Sequence, residues 1–255
     1  MLPPWGCAVR VAFGAPMTPK HTGQWRDRPC ERPNLVIIGA GEFAEIAFEY
    51  FTHDSPYNVV AFAAEREHLR ARELGGLPVL PFDELEQRFP AANHSAFVAI
   101  TYTKLNRVRA RLFAAARAKG YAPASYVSSR AFVWHNASIG ENVFVFENNV
   151  VQHRVSIGDD VILWSGNHIG HQSRIEDHCY LSSQVVVSGY CCVGAHSFLG
   201  VNATLADHVR VGASNLIGAG AIILKDTPDH AIYQAGATEP SPVSSLRFFR
   251  IKEPV

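Results

Sequence analysis

The sequence predicts an α/β chain in two parts, a doubly wound parallel sheet followed by a parallel β-helix. Three observations carry this. Short apolar runs alternate with amphipathic stretches over residues 34–122. From Val127 an aliphatic residue recurs at every sixth position. That period runs through seventeen consecutive positions, to Ile223, without a miss.

The first part is justified element by element. The run LVII (Leu35 to Ile38) reads as a buried strand, and it leads into the glycine turn GAGEFA (Gly39 to Ala44). A helix follows, with Phe43, Ile46, Ala47 and Tyr50 on one face. NVVAFAA (Asn58 to Ala64) is a second strand, FDELEQRF a short helix, and AFVAI (Ala96 to Ile100) a third strand. LNRVRARLFAAARAKG is a long amphipathic helix stopped by Gly120. Strands alternating with helices give a parallel sheet covered on both faces. A GxGxxA turn between strand and helix is Rossmann-like, letting backbone amides approach an anion at a helix N-terminus. Glu65 ends the second strand near the place where such folds hold an acid for a ribose. The bland alternative is a turn that only packs helix on strand, with Glu65 solvated. KLNRVRAR (Lys104 to Arg111) reads mostly as a solvated helix face, with Lys104 or Arg107 near its N-terminus placed to meet a diphosphate.

The second part rests on the six-residue period, which fits neither a helix nor simple strand alternation. Each hexad supplies a short strand and a tight corner, and three hexads close a triangular coil of 18 residues. The aliphatic residue points inward. The residue two before it, such as Ala137, Val155, Ser173 or Ala203, fits the corner, and coils stack at roughly 4.8 Å. A β-sandwich with irregular strands would not keep an unbroken period. Positions 18 apart therefore lie above one another, so His153, His171, Gly189 and Asp207 form one column. His178 and His196 form a second, and His168 stands near His171 in GNHIGHQSRI (Gly166 to Ile175).

Zero net charge offers no electrostatic footprint for nucleic acid. No apolar run reaches the roughly 20 residues that span a bilayer. Five cysteines without CxxC spacing argue against a disulfide framework or a zinc knuckle. The N-terminus lacks a signal-peptide pattern, so a cytoplasmic protein is expected. Residues 1–33, rich in Pro, Gly and Arg, are expected to be a disordered extension. Residues 34–122 are expected to form a Rossmann-like, nucleotide-binding part, 123–238 the β-helix, and 239–255 a tail that covers the last coil.

With GAGEFA ahead of an uninterrupted hexapeptide array, the chain resembles the left-handed β-helix acyltransferases over residues 34–238. It is most similar to their sugar-modifying NeuD- and PglD-like branch. The resemblance implies a homotrimer with acetyl-CoA as co-substrate in the groove between neighbouring β-helices, and no metal. It places the general base at His171 and the oxyanion-supporting N–H at Gly189; His168, beside His171 at the corner, reads as a residue that either supports the base or contacts substrate. It places nucleotide-sugar contacts at Gly41, Glu42, Phe43, Ala64, Glu65 and Thr101, and CoA contacts at Tyr180, Val201 and Ala219. The chain departs from the family at several points. Gln172 stands where an acid often follows the base, Ala64 replaces the first acid of an Asp-Asp pair, and Thr101 replaces a glycine. QAGATEPSP (Gln234 to Pro242) stands for a GVPAK-like turn, Gly236 and Pro240 keeping its turn chemistry.

An imidazole with ordinary pKa near 6.5 is a competent general base for an attacking amine. A backbone N–H beside a residue without a side chain is a good oxyanion donor. A neutral Gln172 orients a ring without stabilising imidazolium by charge, which leaves Glu147 or a neighbouring subunit to supply a carboxylate. The expected function is acetyl-CoA-dependent N-acetylation of a nucleotide-linked amino sugar for surface glycan synthesis. The alternatives are O-acetylation of a sialic-acid-like sugar, a γ-carbonic-anhydrase-like zinc enzyme, or a non-catalytic nucleotide-sugar-binding protein. The zinc site of that last enzyme class takes two histidines five residues apart, and no pair here has that spacing.

Overall fold

The computed structural model describes residues 33–251, so the expectation for the N-terminal extension lies outside the described residues. The N-terminal sheet contains β1 (Asn34–Ile38), β2 (Asn58–Ala64), β3 (Glu73–Leu74), β4 (Leu77–Pro81), β5 (His94–Val98) and β6 (Ala122–Pro123). Their order is β3-β4-β2-β1-β5-β6, parallel except for the β3–β4 hairpin. The helices are α1 (Glu42–His53), the single turn α2 (Leu85–Arg88) and α3 (Arg107–Ala118). Because β1 pairs with β2 on one side and β5 on the other, the chain reverses its winding there. That switch point, outside the carboxyl ends of β1 and β5, is where sheets of this winding carry their ligand crevice.

From Tyr126 the chain is a left-handed parallel β-helix of two-residue strands. Three sheets of seven, six and five strands form its faces. The first face runs from Tyr126–Val127 to Ile232–Tyr233, the second from Phe132–Val133 to Ile222–Ile223, and the third from Ser138–Ile139 to Arg210–Val211. Register holds at 18 residues, as in Val150↔His168↔Val186. From Val145 to Ile223 every sixth residue is buried in one apolar column. Val127, Val133 and Ile139 are only partly buried, because the first coil has no neighbour below it.

Each corner turns on one residue with positive φ. From Asn142 to Gly220 these fall every six residues, three before the inward aliphatic. Most are Asn, Asp, His, Gln, Ser or Gly, types that enter the left-handed region at modest cost.

The N-terminal domain sits on the first face. Phe43, Tyr50 and Phe51 of α1 pack on Phe144, which all three touch edge-on at 5.6–5.9 Å. Tyr126, Phe146 and Trp164 complete the cluster, Phe146 stacking on Trp164 at 4.4 Å. Each such ring contributes on the order of 2 kcal/mol by burial, which makes this contact an extension of the core. The tail differs from expectation. Residues Glu239 to Ile251 are exposed throughout, including the short helix Ser245–Phe248, and do not cover the last coil. Sheet pairing of Ile232–Tyr233 on Leu216–Ile217 continues the first face instead.

Candidate active site

His171 lies at the second corner, between the second and third faces, and its side chain is exposed. A Cβ built on Gly189, one coil above, would come within 2.5 Å of His171 Cε1, 2.8 Å of Nε2 and 3.1 Å of Nδ1. The imidazole therefore lies on the backbone of Gly189 and occupies the space a side chain there would fill. Tyr190 meets the imidazole edge-on at 5.1 Å and stacks on His208 at 4.8 Å. Gln172, with φ 57°, donates from Nε2 to the Tyr190 hydroxyl at 2.8 Å. The His171 amide donates to Gln152 Oε1 at 2.9 Å, which anchors the residue from the coil below. His168, outward on the second face, is half-buried in its strand between Val150 and Val186.

Two expectations change here. The Gly189 N–H already donates to Asp207 Oδ1 at 2.8 Å, so the amide expected to meet an oxyanion is engaged by the next coil. What the glycine demonstrably supplies is room for the ring. Glu147 is not a partner of His171. It belongs to the first corner, between the first and second faces, where it accepts from Ser165 Oγ at 2.6 Å and from the Tyr50 hydroxyl at 3.0 Å. Six residues move a side chain by one whole corner, and that displacement separates it from the His171 column. Among the described residues no carboxylate is hydrogen-bonded to the His171 ring.

The crevice of the N-terminal domain is built around Gly39 and Gly41. Gly39 has φ +139°, and a Cβ there would sit 2.5 Å from the Ala99 carbonyl, so only glycine lets β1 turn beside β5. Gly41 caps α1 with no side chain closing the helix end, and a Cβ there would meet nothing within 4 Å. The first-turn amides of α1 thus face an open space, edged by the exposed Glu42. Phe43 points the other way, 4% exposed and packed on the β-helix, so any ligand contact at that position is through its backbone. Ala64 is likewise buried at the end of β2. Glu65 is paired with Arg111 through two 2.8 Å bonds, and these hydrogen bonds hold its carboxyl below the usual range.

Thr101 is fixed through its carbonyl, which accepts from Arg109 Nη1 at 3.1 Å. Arg109 was invisible to sequence reasoning, being part of a stretch read as a solvated helix face. It is fully buried and reaches from α3 into the third corner, between the third and first faces. There it donates to Asp160 Oδ1 at 3.1 Å, to the Asp160 carbonyl at 2.9 Å and to the carbonyls of His178 and Cys179 at 3.1 Å. Asn142 and His178 complete the Asp160 carboxylate at 2.7 and 2.9 Å. The loop this clamp holds is unusual, with Lys104, Leu105 and Asn106 in succession at φ 51°, 51° and 65°. Such a run costs roughly 1–2 kcal/mol per residue.

Of the three expected CoA contacts, Val201 and Ala219 are exposed one above the other on the first corner, in the column of Glu147 and Ser165. Tyr180 is a correction. It points outward on the first face, which the N-terminal domain covers, so its ring lies against Phe198 at 5.5 Å and Tyr102 at 5.2 Å with 4% exposed. Burial pushes its phenol up to about 12. It is an interdomain packing residue. The structure thus brings together His171, Gln172, Gly189 and Asp207, and separately Gly41, Glu42, Glu65 and Thr101, on different sides of the β-helix.

Residues 34–116 match the family described as the PglD N-terminal domain, and residues 136–171 match bacterial transferase hexapeptide, six repeats. No curated protein matches the chain. Among solved structures it is similar to perosamine N-acetyltransferase from Caulobacter crescentus, in complex with CoA and GDP-perosamine. That similarity has 28% identity and a TM-score of 0.71, over 79% of this chain and 93% of that one. It is also similar in fold to the acetyltransferase domain of PglB from Neisseria gonorrhoeae FA1090, at 24% identity and TM-score 0.72, over 82% of this chain and 100% of that domain. WeeI from Acinetobacter baumannii AYE shares the fold at 18% identity and TM-score 0.67, over 78% and 94%. The chain thus carries the N-terminal domain of the PglD family and hexapeptide repeats of the bacterial transferase kind, and it shares its two-domain fold with solved sugar N-acetyltransferases.

Proposed function

We propose that the chain transfers an acetyl group from acetyl-CoA to the amine of a nucleotide-linked amino sugar, with His171 as the general base. One observation carries this reading. An exposed imidazole is seated on the backbone of Gly189, in a chain with the two-domain order of the relative that binds CoA and GDP-perosamine. His171 accepts the proton of the attacking amine, the nitrogen–carbon bond forms, and the carbon–sulfur bond breaks. The thiolate of CoA leaves and takes up a proton. For the thioester carbonyl to use the Gly189 amide, it displaces Asp207 Oδ1 from that N–H. The nucleotide lies over the open end of α1, beside Glu42, Glu65 and Thr101.

The distribution of these residues favours a site shared between copies. The crevice lies with the domain on the first face, while His171 stands at the opposite corner of its own β-helix. The second face lies between the Val201–Ala219 column and the His171 column. Its outward row includes Phe132, Val186 and Ile222, which are 51%, 38% and 66% exposed. An apolar sheet face of this kind, unpartnered in the single chain, supports association into a homotrimer. Acetyl-CoA then lies between the first corner of one copy and the His171 corner of the next. Among the described residues no helix is long and apolar enough to cross a membrane.

The test is thiol release from acetyl-CoA with UDP-, dTDP- and GDP-linked amino sugars, on wild type and His171→Ala. Turnover with one acceptor, lost in the variant, is the expected result. Full activity in His171→Ala would refute the assignment of the base.

A further inference from the structure

Between the loop Tyr102–Asn106 and the last coils of the first face lies a cavity of about 520 Å³. Its floor is Phe198, Leu216 and Ile232, outward residues of three successive strands of that face. The Tyr102 ring, 52% exposed, stands over Phe198 at 4.8 Å. Two cations edge the cavity, Lys104 and Arg107, and no carboxylate lines it. Arg107 donates to Ser214 Oγ at 2.9 Å and to the Leu105 carbonyl at 3.1 Å. Among the described residues neither cation is paired with an acid. Thr103, Ser214 and His230 add polar groups at the edge of the apolar floor.

None of the crevice residues Gly41, Glu42, Phe43, Ala64 or Glu65 lines this cavity, nor do Val201, Ala219 or His171. It opens toward the third corner, to which Ser214 belongs, whereas Val201 and Ala219 lie on the first. The space is therefore separate from the α1 N-terminus, from the Val201–Ala219 column and from the base, and it borders the crevice only through Thr101, the residue before Tyr102.

We propose that this cavity is a second nucleotide site, taking a nucleoside monophosphate. The chemistry points to one ligand with two unlike ends. The exposed Tyr102 ring and the Phe198, Leu216 and Ile232 floor suit a flat base, for which aromatic stacking is tolerant of base identity. Lys104 and Arg107 suit a phosphate that brings the charge the cavity lacks. Thr103, Ser214 and His230 are donors and acceptors for a base edge or a ribose, which an aliphatic carboxylate would leave unused. The volume lies in the range of small-molecule sites.

The proposal goes beyond the transferase reading and is tested apart from it. UMP, GMP, dTMP and AMP are titrated into the full chain by calorimetry, with saturation-transfer NMR to show which protons touch the protein. The variants are Ile232→Glu, which sets a carboxylate on the exposed floor, Lys104→Gln, and Gly41→Asp, which sets one at the crevice. The expected result is a binding event weakened at least about tenfold by Ile232→Glu and by Lys104→Gln and retained in Gly41→Asp. Binding lost only in Gly41→Asp would overturn the cavity site while leaving the transferase reading intact. No binding of any of the four, or binding untouched by Ile232→Glu and Lys104→Gln alike, would also overturn it. Thermal melts of the variants identify a folding defect, and the exposed Lys104→Gln keeps the test decisive if Ile232→Glu fails to fold.

Discussion

Replacing Arg109 with Met should loosen the joint between the two domains more than any surface change. The guanidinium donates to one carboxylate, one side-chain amide and several main-chain carbonyls, drawn from the loop before α3 and from two coils of the β-helix. Both Arg109 and Asp160 are completely buried. Met keeps much of the packing volume but leaves the Asp160 carboxylate in place with only Asn142 and His178 as side-chain partners. Breaking one side of a buried pair typically costs about 3–5 kcal/mol. For a chain of this size that is a fall in melting temperature on the order of 10 °C. The assay is urea denaturation of wild type, Arg109→Met, Asp160→Asn and the double variant. Because the two groups act as one unit, the single losses should not add, with a coupling of about 2 kcal/mol or more. A loss under about 1 kcal/mol in Arg109→Met, with additive effects in the cycle, would refute the view that this clamp holds the domains together.

Other consequences are as direct. Gly189→Ala places a methyl where His171 now lies; kcat should fall by about a hundredfold while the melting temperature holds, since this glycine has ordinary backbone angles. Gly39→Ala meets the Ala99 carbonyl at a positive φ and should cost more than about 2 kcal/mol in denaturant titration. Val186→Glu with Ile222→Glu charges the second face and should convert the assembly to monomers in sedimentation equilibrium, with loss of activity if the site is shared. His196 titrates below its ordinary 6.5, chiefly through burial and then through His178 and Arg107, so the folded state binds its proton less readily than the unfolded chain. Its contribution is complete above about pH 6.5 and is lost as pH falls from there toward the depressed folded value. His196→Phe should flatten that part of the stability–pH curve relative to wild type.

The hexad period placed each inward aliphatic from Val127 to Ile223, because one is required per strand whatever surrounds the coil, while the last strand, Ile232–Tyr233, lies off that period. The sheet strand Leu77–Pro81 escaped notice for the opposite reason. Its two prolines and the Gly75–Gly76 pair read as punctuation, yet Val79 pairs with Phe62 and the missing amides cost the sheet little beside so short a β3. Glu147 stands one corner from the His171 column, a displacement the hexad count itself gives, whereas Tyr180 failed for want of information the count lacks. Counting along the chain gives a residue's height and corner, but not which face another domain covers. Arg109 shows the same gap, because a cation inside an amphipathic helix reads as solvated until its partner, 51 residues away, is known.

Some of that information was nonetheless present as a modulation of the hexad at three times its length. The outward residue beside each inward aliphatic is Tyr126, Phe144, Ile162, Tyr180, Phe198 and Leu216 on the first face. It is Phe132, Val150, His168, Val186, Thr204 and Ile222 on the second, and Ser138, Ser156, Arg174, Cys192 and Arg210 on the third. Outward side chains owe nothing to the interior of the coil, so their character reflects only what each face meets. Large aromatic residues mark the face that the N-terminal domain buries, and polar ones mark the face left to water. The intermediate row, with aliphatic residues at both ends and His168 between them, calls for a partner the single chain does not supply. By that logic Val186→Glu probes an interface, and the equivalent charge on the third face, Cys192→Glu, should leave the assembly unchanged.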